Sequence, residues 1–252
     1  MKAKVEISAT IVLYKNDIAT LHKVIDCFLK IPLTKKLFLI DNSPTNKLQY
    51  KFVFPEIEYV FIGENLGFGK AHNYVVDKIS FLSDFHLVLN PDVIFNPNDI
   101  SKLTIELNKS SGTGVISPKV VYPNGEVQYT CRKHPKLKEL FFRRLGVFRA
   151  FTRKQEYRNQ DFSRPFNPDF VYGCFMLFKT QEFVKVNGFD ERYFMYLEDA
   201  DICRKLAQNQ QKVLYYPKVI IEHKHQKGSA KKINLLMHHL SSAIKYHKKW
   251  KN

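Results

Sequence analysis

Cysteine is scarce and scattered: Cys27, Cys131, Cys174 and Cys203 are the only four in 252 residues. No two stand as CxxC and none sits at metal-ligand spacing. This argues against a disulfide framework or a zinc module and fits reduced thiols in a cytosolic protein. Long apolar runs are also missing. No stretch reaches the ~18–20 apolar residues of a membrane span, and MKAKVEISATIVLYKND has too short an apolar run for a signal peptide. A cytoplasmic protein is expected, with room for peripheral attachment to the inner face of the cell membrane. Internal repeats and low-complexity linkers are absent. Acidic residues are in deficit, 24 Asp and Glu against 40 Lys and Arg, for a net charge of +16. Such a balance favours an anionic partner (nucleic acid, acidic lipid or a phosphate-bearing ligand) and says nothing about fold. Hydrophobic residues make up 44%, enough for a sizeable core, and the length suits one domain.

What is present alternates. VEISATIVLY (5–14) reads as a buried strand, and DIATLHKVIDCFLK follows with Ile18, Leu21, Val24, Ile25, Phe28 and Leu29 at helical spacing. KLFLIDN is a second strand ending on Asp41, IEYVFIG (57–63) a third and HLVLN (86–90) a fourth. Gly67 and Gly69 lead into a helix around AHNYVVDKI. Residues 99–109 look helical, VISPKVVY is another strand, and Pro123-Asn124-Gly125 signals a hairpin turn. FVYGCFMLFK (170–179) reads as a strand, TQEFVKV and EDADICRKLAQ as helices, and KVLYYPKVIIEH as a strand. KKINLLMHHLSSAIKYHKKW closes the chain as a basic amphipathic helix. The pattern is that of an α/β fold: a Rossmann-like, mostly parallel sheet with crossover helices.

In open α/β sheets ligands gather outside the carboxyl ends of the strands. Asp41 and Asp92 both fall there. Each alone is ordinary turn chemistry, in Asp-Asn-Ser-Pro and Asn-Pro-Asp; together they would face one edge. Glu198, Asp199 and Asp201 open a helix, where acidic residues offset the macrodipole. The aromatic run Tyr193-Phe194-Met195-Tyr196 ends almost on them, and a carboxylate against aromatic walls is partly desolvated, which suits a general base. His223 and His225 stand two apart at a strand end and would point the same way; near a carboxylate, imidazole can supplement a metal site. Arg204 could pair with Glu198 or Asp201, or reach phosphate.

Between Cys131 and Arg158 cations alternate with aromatics: Arg143, Arg144 and Arg149 beside Phe141, Phe142 and Phe148. The last helix does the same with Lys245, Lys248, Lys249 and Trp250. These are either solvated charged faces or surfaces for anionic lipid, with Phe and Trp entering the interface. The insertion before the strand at 170 is also a place to grip an acceptor.

IVLYKND (11–17), IDNSP (40–44), ENLGFGKAHN (64–73), LNPDV (89–93), GCFMLF (173–178), GFDERYFMYLEDADICRKL (188–206), EHKHQKGS (222–229) and HHLSSAIKYHKKW (238–250), in this order, resemble the inverting glycosyltransferases of family 2. The likeness is to the rhamnosyltransferase-like branch that builds bacterial surface polysaccharides. It implies a single GT-A domain with a nucleotide-binding half (1–125), an acceptor and catalytic half (126–230), and a C-terminal helix (231–252). It implies transfer, with inversion, of a sugar such as rhamnose from dTDP-rhamnose to a glycan or polyprenyl-diphosphate-linked acceptor. By position, Asp41 would bind the base or ribose. Asn65, Gly67, Gly69 and Asn73 would wrap the nucleotide, the glycines by allowing close backbone approach. Asp92 would hold Mg²⁺ or Mn²⁺ at the diphosphate, with His223, or failing that His225, completing the metal site. Asp199 would be the base, supported by Glu198 and Asp201. The family's Asp-x-Asp is altered here, since Asn90 replaces the first carboxylate; one carboxylate, a histidine and substrate phosphates can still hold an octahedral ion.

Two other classes compete. A nucleic-acid-binding module would suit the +16 charge with interleaved Phe and Arg, but no RNA-module signature is present, and no nucleic acid is expected as a partner. A sugar nucleotidyltransferase would want a glycine-rich, basic triphosphate loop near the start, which IVLYKNDIAT lacks.

Overall fold

The computed structural model describes residues 5–135, 153–224 and 233–251. The strands are β1 (Val5–Leu13), β2 (Lys35–Asp41), β3 (Ile57–Phe61), β4 (Ser83–Leu89), β5 (Val93–Phe95), β6 (Thr113–Val121), β7 (Val127–Gln128), β8 (Cys131–Arg132), β9 (Phe170–Val171), β10 (Phe175–Lys179) and β11 (Lys212–His223). The helices are α1 (Ile18–Leu29), α2 (Phe68–Asn73), α3 (Val76–Ile79), α4 (Asn98–Lys109), α5 (Thr180–Lys185), α6 (Glu198–Gln208) and α7 (Ile233–Lys249).

The main sheet runs β3-β2-β1-β4-β10-β6-β11-β5, with β7 added beside β6. β3, β2, β1 and β4 are mutually parallel, as are β6 and β11, while β10 is antiparallel to both of its neighbours. The expected mostly parallel α/β sheet is therefore present. β1 is flanked by the strands that follow it on either side, so the chain reverses direction of growth there, the place where α/β sheets open a ligand crevice.

Both faces of the sheet are covered. Ile7, Ala9, Ile11 and Leu13 pack with Leu21, Val24, Ile25 and Phe28 of α1 and with Ile100, Leu103 and Leu107 of α4. Phe38, Ile40, Val88, Met176 and Phe178 pack on the other side with α2, α3, α5, α6 and Ala243 and Tyr246 of α7. This is why the strands read as continuous apolar runs rather than alternating ones. Ser8 and Thr10 are the polar exceptions in β1; both bond the ring of the buried His86, at 2.8 and 3.3 Å, and burial pushes that imidazole down to about 3, so it is neutral.

Three local features depart from the sequence reading. FVYGCFMLFK is not one strand: it breaks at Tyr172-Gly173-Cys174, leaving β9 to pair with β8 and β10 to join the main sheet. Val93–Phe95, read only as an apolar group after a turn, forms β5 and pairs with the end of β11. Trp250 does not face outward toward lipid: its indole Nε1 donates to Asp201 Oδ1 at 2.7 Å, with Arg204 stacked on the ring. Lys249 joins it, bridging Asp190 at 2.7 Å and Asp201 at 2.8 Å. The last turn of α7 thus docks on α6, and Arg204 pairs with neither Glu198 nor Asp201. The hairpin at Pro123-Asn124-Gly125 is as expected, closed by Gly125 N–H to the Tyr122 carbonyl at 2.8 Å.

Candidate functional site at the carboxyl edge of the sheet

Strand polarity collects the candidate residues. The carboxyl ends of β2 and β4 deliver Asp41 and Asn90-Pro91-Asp92 to one edge. Because β10 runs the other way, its entry delivers Gly173 and Cys174 to that edge too, with Asn90 N–H bonded to the Cys174 carbonyl at 2.9 Å. β11 ends there on His223, paired across from Val93.

His223 and Asp92 form the first cluster, with Nε2 3.3 Å from Asp92 Oδ1 and 3.4 Å from the Asn90 amide nitrogen. The ring's other side is held by Gln128, a residue the sequence reading missed. Its amide nitrogen donates to the His223 backbone carbonyl, and its Oε1 lies 3.1 Å from Nδ1. A carbonyl can only accept, so the amide orientation is fixed. Oε1 must then accept from a protonated Nδ1, which leaves Nε2 directed at Asp92. Burial pulls the imidazole down, but the hydrogen bonds to Asp92 and Cys174 outweigh it and raise it to about 10. Two ligands at right angles on one ion, each ~2.1 Å away, stand about 3.0 Å apart, close to the spacing of this pair. A divalent cation would displace the Nε2 proton that the carboxylate and imidazole otherwise share, and the pair then fits one such ion, with Gln128 as the residue that fixes the ring. Among the described residues no group of three metal-ligating side chains occurs, so further ligands would come from substrate and water. His225 lies outside the described residues.

The second cluster is acidic. Tyr196 and Leu197 both adopt left-handed backbone, φ 71° and 68°, immediately before α6; two such non-glycine residues in a row are a costly turn, and they set the entry of Glu198 and Asp199. Asp199 accepts from Ala200 N–H at 2.8 Å and from Gly173 N–H at 3.3 Å. Burial pushes its carboxyl up to about 6 against those two bonds and against the charge of Arg132. Glu198 is buried, and its Oε2 finds no hydrogen-bond partner among the described residues. Burial and the adjacent Asp199 push it well above the carboxylate range, so it keeps its proton. One carboxylate of the pair is thus neutral and the other titrates near neutrality. Asp201 belongs elsewhere: it is fully buried and ties α6 to α7.

The nucleotide segment sits differently from expectation. The Asn73 amide is occupied by the acid-bearing loop: Nδ2 donates to the Phe189 carbonyl at 2.8 Å and to Glu191 at 3.2 Å, and Oδ1 accepts from Phe189 N–H at 2.8 Å. A Cβ on Gly67 (φ 81°) would come within 2.2 Å of the Phe194 carbonyl oxygen, and one on Gly69 within 2.9 Å of Phe189 Cβ. The close approach these glycines permit is therefore to loop 189–194, which Phe68 N–H also bonds at Phe194. Asn65 is exposed and turns back on Gly67 N–H at 3.1 Å. Asp41 has no exposed surface: one oxygen accepts from Tyr59 OH at 2.6 Å, the other from Ser43 N–H at 2.8 Å.

The mostly parallel sheet in the order β3-β2-β1-β4-β10-β6-β11-β5, covered by helices on both faces, is the GT-A fold. Solved structures share it. GalNAc-T7 with UDP, GalNAc and Mn²⁺ matches at a TM-score of 0.68 and 16% identity over 89% of this chain and 44% of its own. The mannosyltransferase PcManGT of Pyrobaculum calidifontis, in complex with GDP-Man and Mn²⁺, matches at 0.62 and 14% identity over 97% and 65%. The chain thus spans less than half of the first of these and about two thirds of the second. The glycosyl transferase family 2 pattern matches residues 9–184, and that of the N-terminal domain of galactosyltransferase matches 155–229. The chain belongs to glycosyl transferase family 2 and is a glycosyltransferase. Its relatives include the N-acetylglucosaminyl-diphospho-decaprenol L-rhamnosyltransferase of Mycobacterium tuberculosis, 29% identical over 82% of this chain and 73% of that protein. Rhamnosyltransferase WbbL of Escherichia coli K12 is 30% identical over 84% and 81%.

Proposed function

We propose that this glycosyltransferase moves rhamnose, with inversion, from dTDP-rhamnose to a hydroxyl of a glycan carried on a polyprenyl diphosphate. The observation that carries the reading is the pairing at one sheet edge of Asp92–His223 with Asp199. The donor sugar and acceptor class rest on the two rhamnosyltransferase relatives. Asp92 and His223 would hold Mg²⁺ or Mn²⁺, which would supply positive charge against the leaving diphosphate. Ionised Asp199 takes the proton of the acceptor hydroxyl, whose oxygen forms the new bond to the anomeric carbon. The bond from that carbon to the nucleoside diphosphate breaks and its electron pair leaves with the nucleotide. No side chain of the chain bonds the sugar, so configuration inverts. Neutral Glu198 beside Asp199 spares the base a second negative neighbour. Asp41 would act on the nucleoside through the rim it shares with Tyr59 and Ser43, and Asn65 from its exposed turn.

Purified protein with Mn²⁺ should transfer rhamnose from dTDP-rhamnose to a short-chain N-acetylglucosaminyl-diphospho-prenol and release dTDP. Turnover with UDP- or GDP-sugars instead would replace the donor assignment.

Peripheral membrane attachment belongs to the same reading, on a different face from the one expected. No helix among the described residues is long and apolar enough to cross a membrane. Met237, Leu240 and Ile244 are exposed at helical spacing on α7, on the side that ends in the exposed Lys248. Apolar residues at the acyl boundary with lysine at the headgroups is the interfacial pattern. The Arg- and Phe-rich segment 136–152 lies outside the described residues. Co-sedimentation with anionic vesicles should fall severalfold in a Met237→Ser/Leu240→Ser/Ile244→Ser variant; equal binding to anionic and neutral vesicles by both proteins would remove this face as the contact. A deletion of 238–252 would also strip Asp201 of Lys249 and Trp250, leaving it Tyr193 alone among the described residues, and so would disturb α6 as well as the lipid face.

A further inference from the structure

Beside the two clusters lies a cavity of about 600 Å³ whose walls include Glu126, Gln128, Tyr129, Arg132, Glu156, Arg158 and Tyr172. One wall is shared with the metal-type pair, since Gln128 orients His223. Another is shared with the base, since Tyr172 precedes the Gly173 N–H that Asp199 accepts from. The cavity thus borders both centres the transfer reaction uses, through Gln128 and Tyr172.

Its chemistry is specific. Glu156 is buried and bridges two guanidiniums, Arg132 at 2.9 Å and Arg158 at 2.5 Å. Glu156 leaves one positive charge on the Arg132–Arg158 pair; Glu126, exposed, is the other carboxylate of the lining, so the surplus charge belongs to the guanidiniums and not to the cavity as a whole. Each guanidinium is also stacked on an aromatic wall, Arg132 on Tyr172 at 4.9 Å and Arg158 on Tyr129 at 4.2 Å. Planes held from the side and from behind are pre-organised, so little side-chain freedom is lost when they bind. Arg132 Nε is buried and finds no hydrogen-bond partner among the described residues. A buried unpaired donor costs stability; that atom has no open surface, so a ligand in the cavity would meet the other guanidinium nitrogens. Guanidinium forks match phosphate oxygens two by two.

We propose that this cavity binds the diphosphate of the acceptor, with Arg132 and Arg158 gripping its oxygens and Tyr129 and Tyr172 walling the adjoining sugar. Glu156 is the positioning residue that aims both arginines. The assignment rests on the reading of the acceptor as diphosphate-linked. The same chemistry could come from the donor's diphosphate, and the test separates the two sources.

Arg158 is the residue to change, because its side chain is 38% exposed whereas that of Arg132 is 12% exposed. Calorimetry with inorganic pyrophosphate in EDTA should show binding by the full chain, weakened about tenfold or more in Arg158→Gln and unchanged in the surface control Lys102→Gln. Arg158→Lys should recover part of it, since it keeps the charge and loses the fork. In steady state, with one sugar presented on a short prenyl diphosphate or as a simple alkyl glycoside, Arg158→Gln should raise KM for the diphosphate acceptor by a similar factor. KM for the alkyl glycoside and for the nucleotide sugar should stay as in wild type. A rise in donor KM instead would overturn the assignment and hand the cavity to the donor. If wild type transfers to neither acceptor, the acceptor reading fails and the pyrophosphate arm decides alone: equal binding by wild type and Arg158→Gln overturns the site.

Discussion

Asp199→Asn should cut sugar transfer by roughly 10²–10⁴-fold, the usual cost of losing a general base, with nucleotide affinity unchanged. The wild-type rate should itself report the carboxyl. Burial sets its pKa at about 6, and the ionised form is the active one. kcat/KM should therefore fall about tenfold per pH unit below 6 and level off above it. Linkage works in the opposite direction. The folded pKa lies above the unfolded value of ~3.9, so this group favours the fold below about pH 4. That advantage is lost as pH rises through 6, and the charge weighs on the fold at pH 8. The amide variant removes the charge and keeps an acceptor for Ala200 N–H while losing the longer bond from Gly173 N–H, so its melting temperature at pH 8 should stay within a few degrees of wild type. A dead but fully stable variant identifies the base. Near wild-type transfer by Asp199→Asn would exclude it.

The second large effect is at the Asp92–His223 pair. Asp92→Ala and His223→Ala should each lower the Mn²⁺-dependent affinity for a nucleoside diphosphate by about a hundredfold or more, while the weak binding measured in EDTA stays put. Gln128→Ala removes no ligand and only frees the His223 ring, so its loss should be smaller, about 10–100-fold in metal affinity, the range seen when an orienting partner is removed. Calorimetry run with Mn²⁺ and again with EDTA separates these. A full Mn²⁺ response in His223→Ala would move the ligand role away from this residue and toward His225.

The strands and helices were legible because their patterns are local. Leu21, Val24, Ile25 and Phe28 repeat at helical spacing and all are buried. Asp41 and the Asn90-Pro91-Asp92 turn end apolar runs and do reach the same edge. Asp199 stood out because aromatic residues crowd the start of its helix. The rest depended on partners far away in sequence. Nothing near Gln128 signals that it orients a histidine 95 residues later. Asn73 bonds a loop 116 residues away, and the glycines beside it were assigned to nucleotide when their open space is taken up by Phe189 and Phe194. Trp250 and Lys249 look from the sequence like the wet end of a basic helix. Their binding to Asp201 is visible only once α6 and α7 are side by side.

The contacts that hold segment 64–73 to loop 189–194 carry a thermodynamic consequence. Gly67 lies against the Phe194 carbonyl, Phe68 bonds it, and Asn73 grips Phe189 through both donor and acceptor. Two backbone stretches joined so tightly move as one body, and Glu198 and Asp199 follow directly on the second. On the proposed reading, whatever work a donor does in settling the first stretch would be transmitted to the carboxylate that receives the proton. Linkage makes such coupling reciprocal: an acceptor that steadies the base improves donor affinity by the factor by which the donor improves its own. Cooperation between the two substrates would then be a property of the scaffold and would need no moving lid.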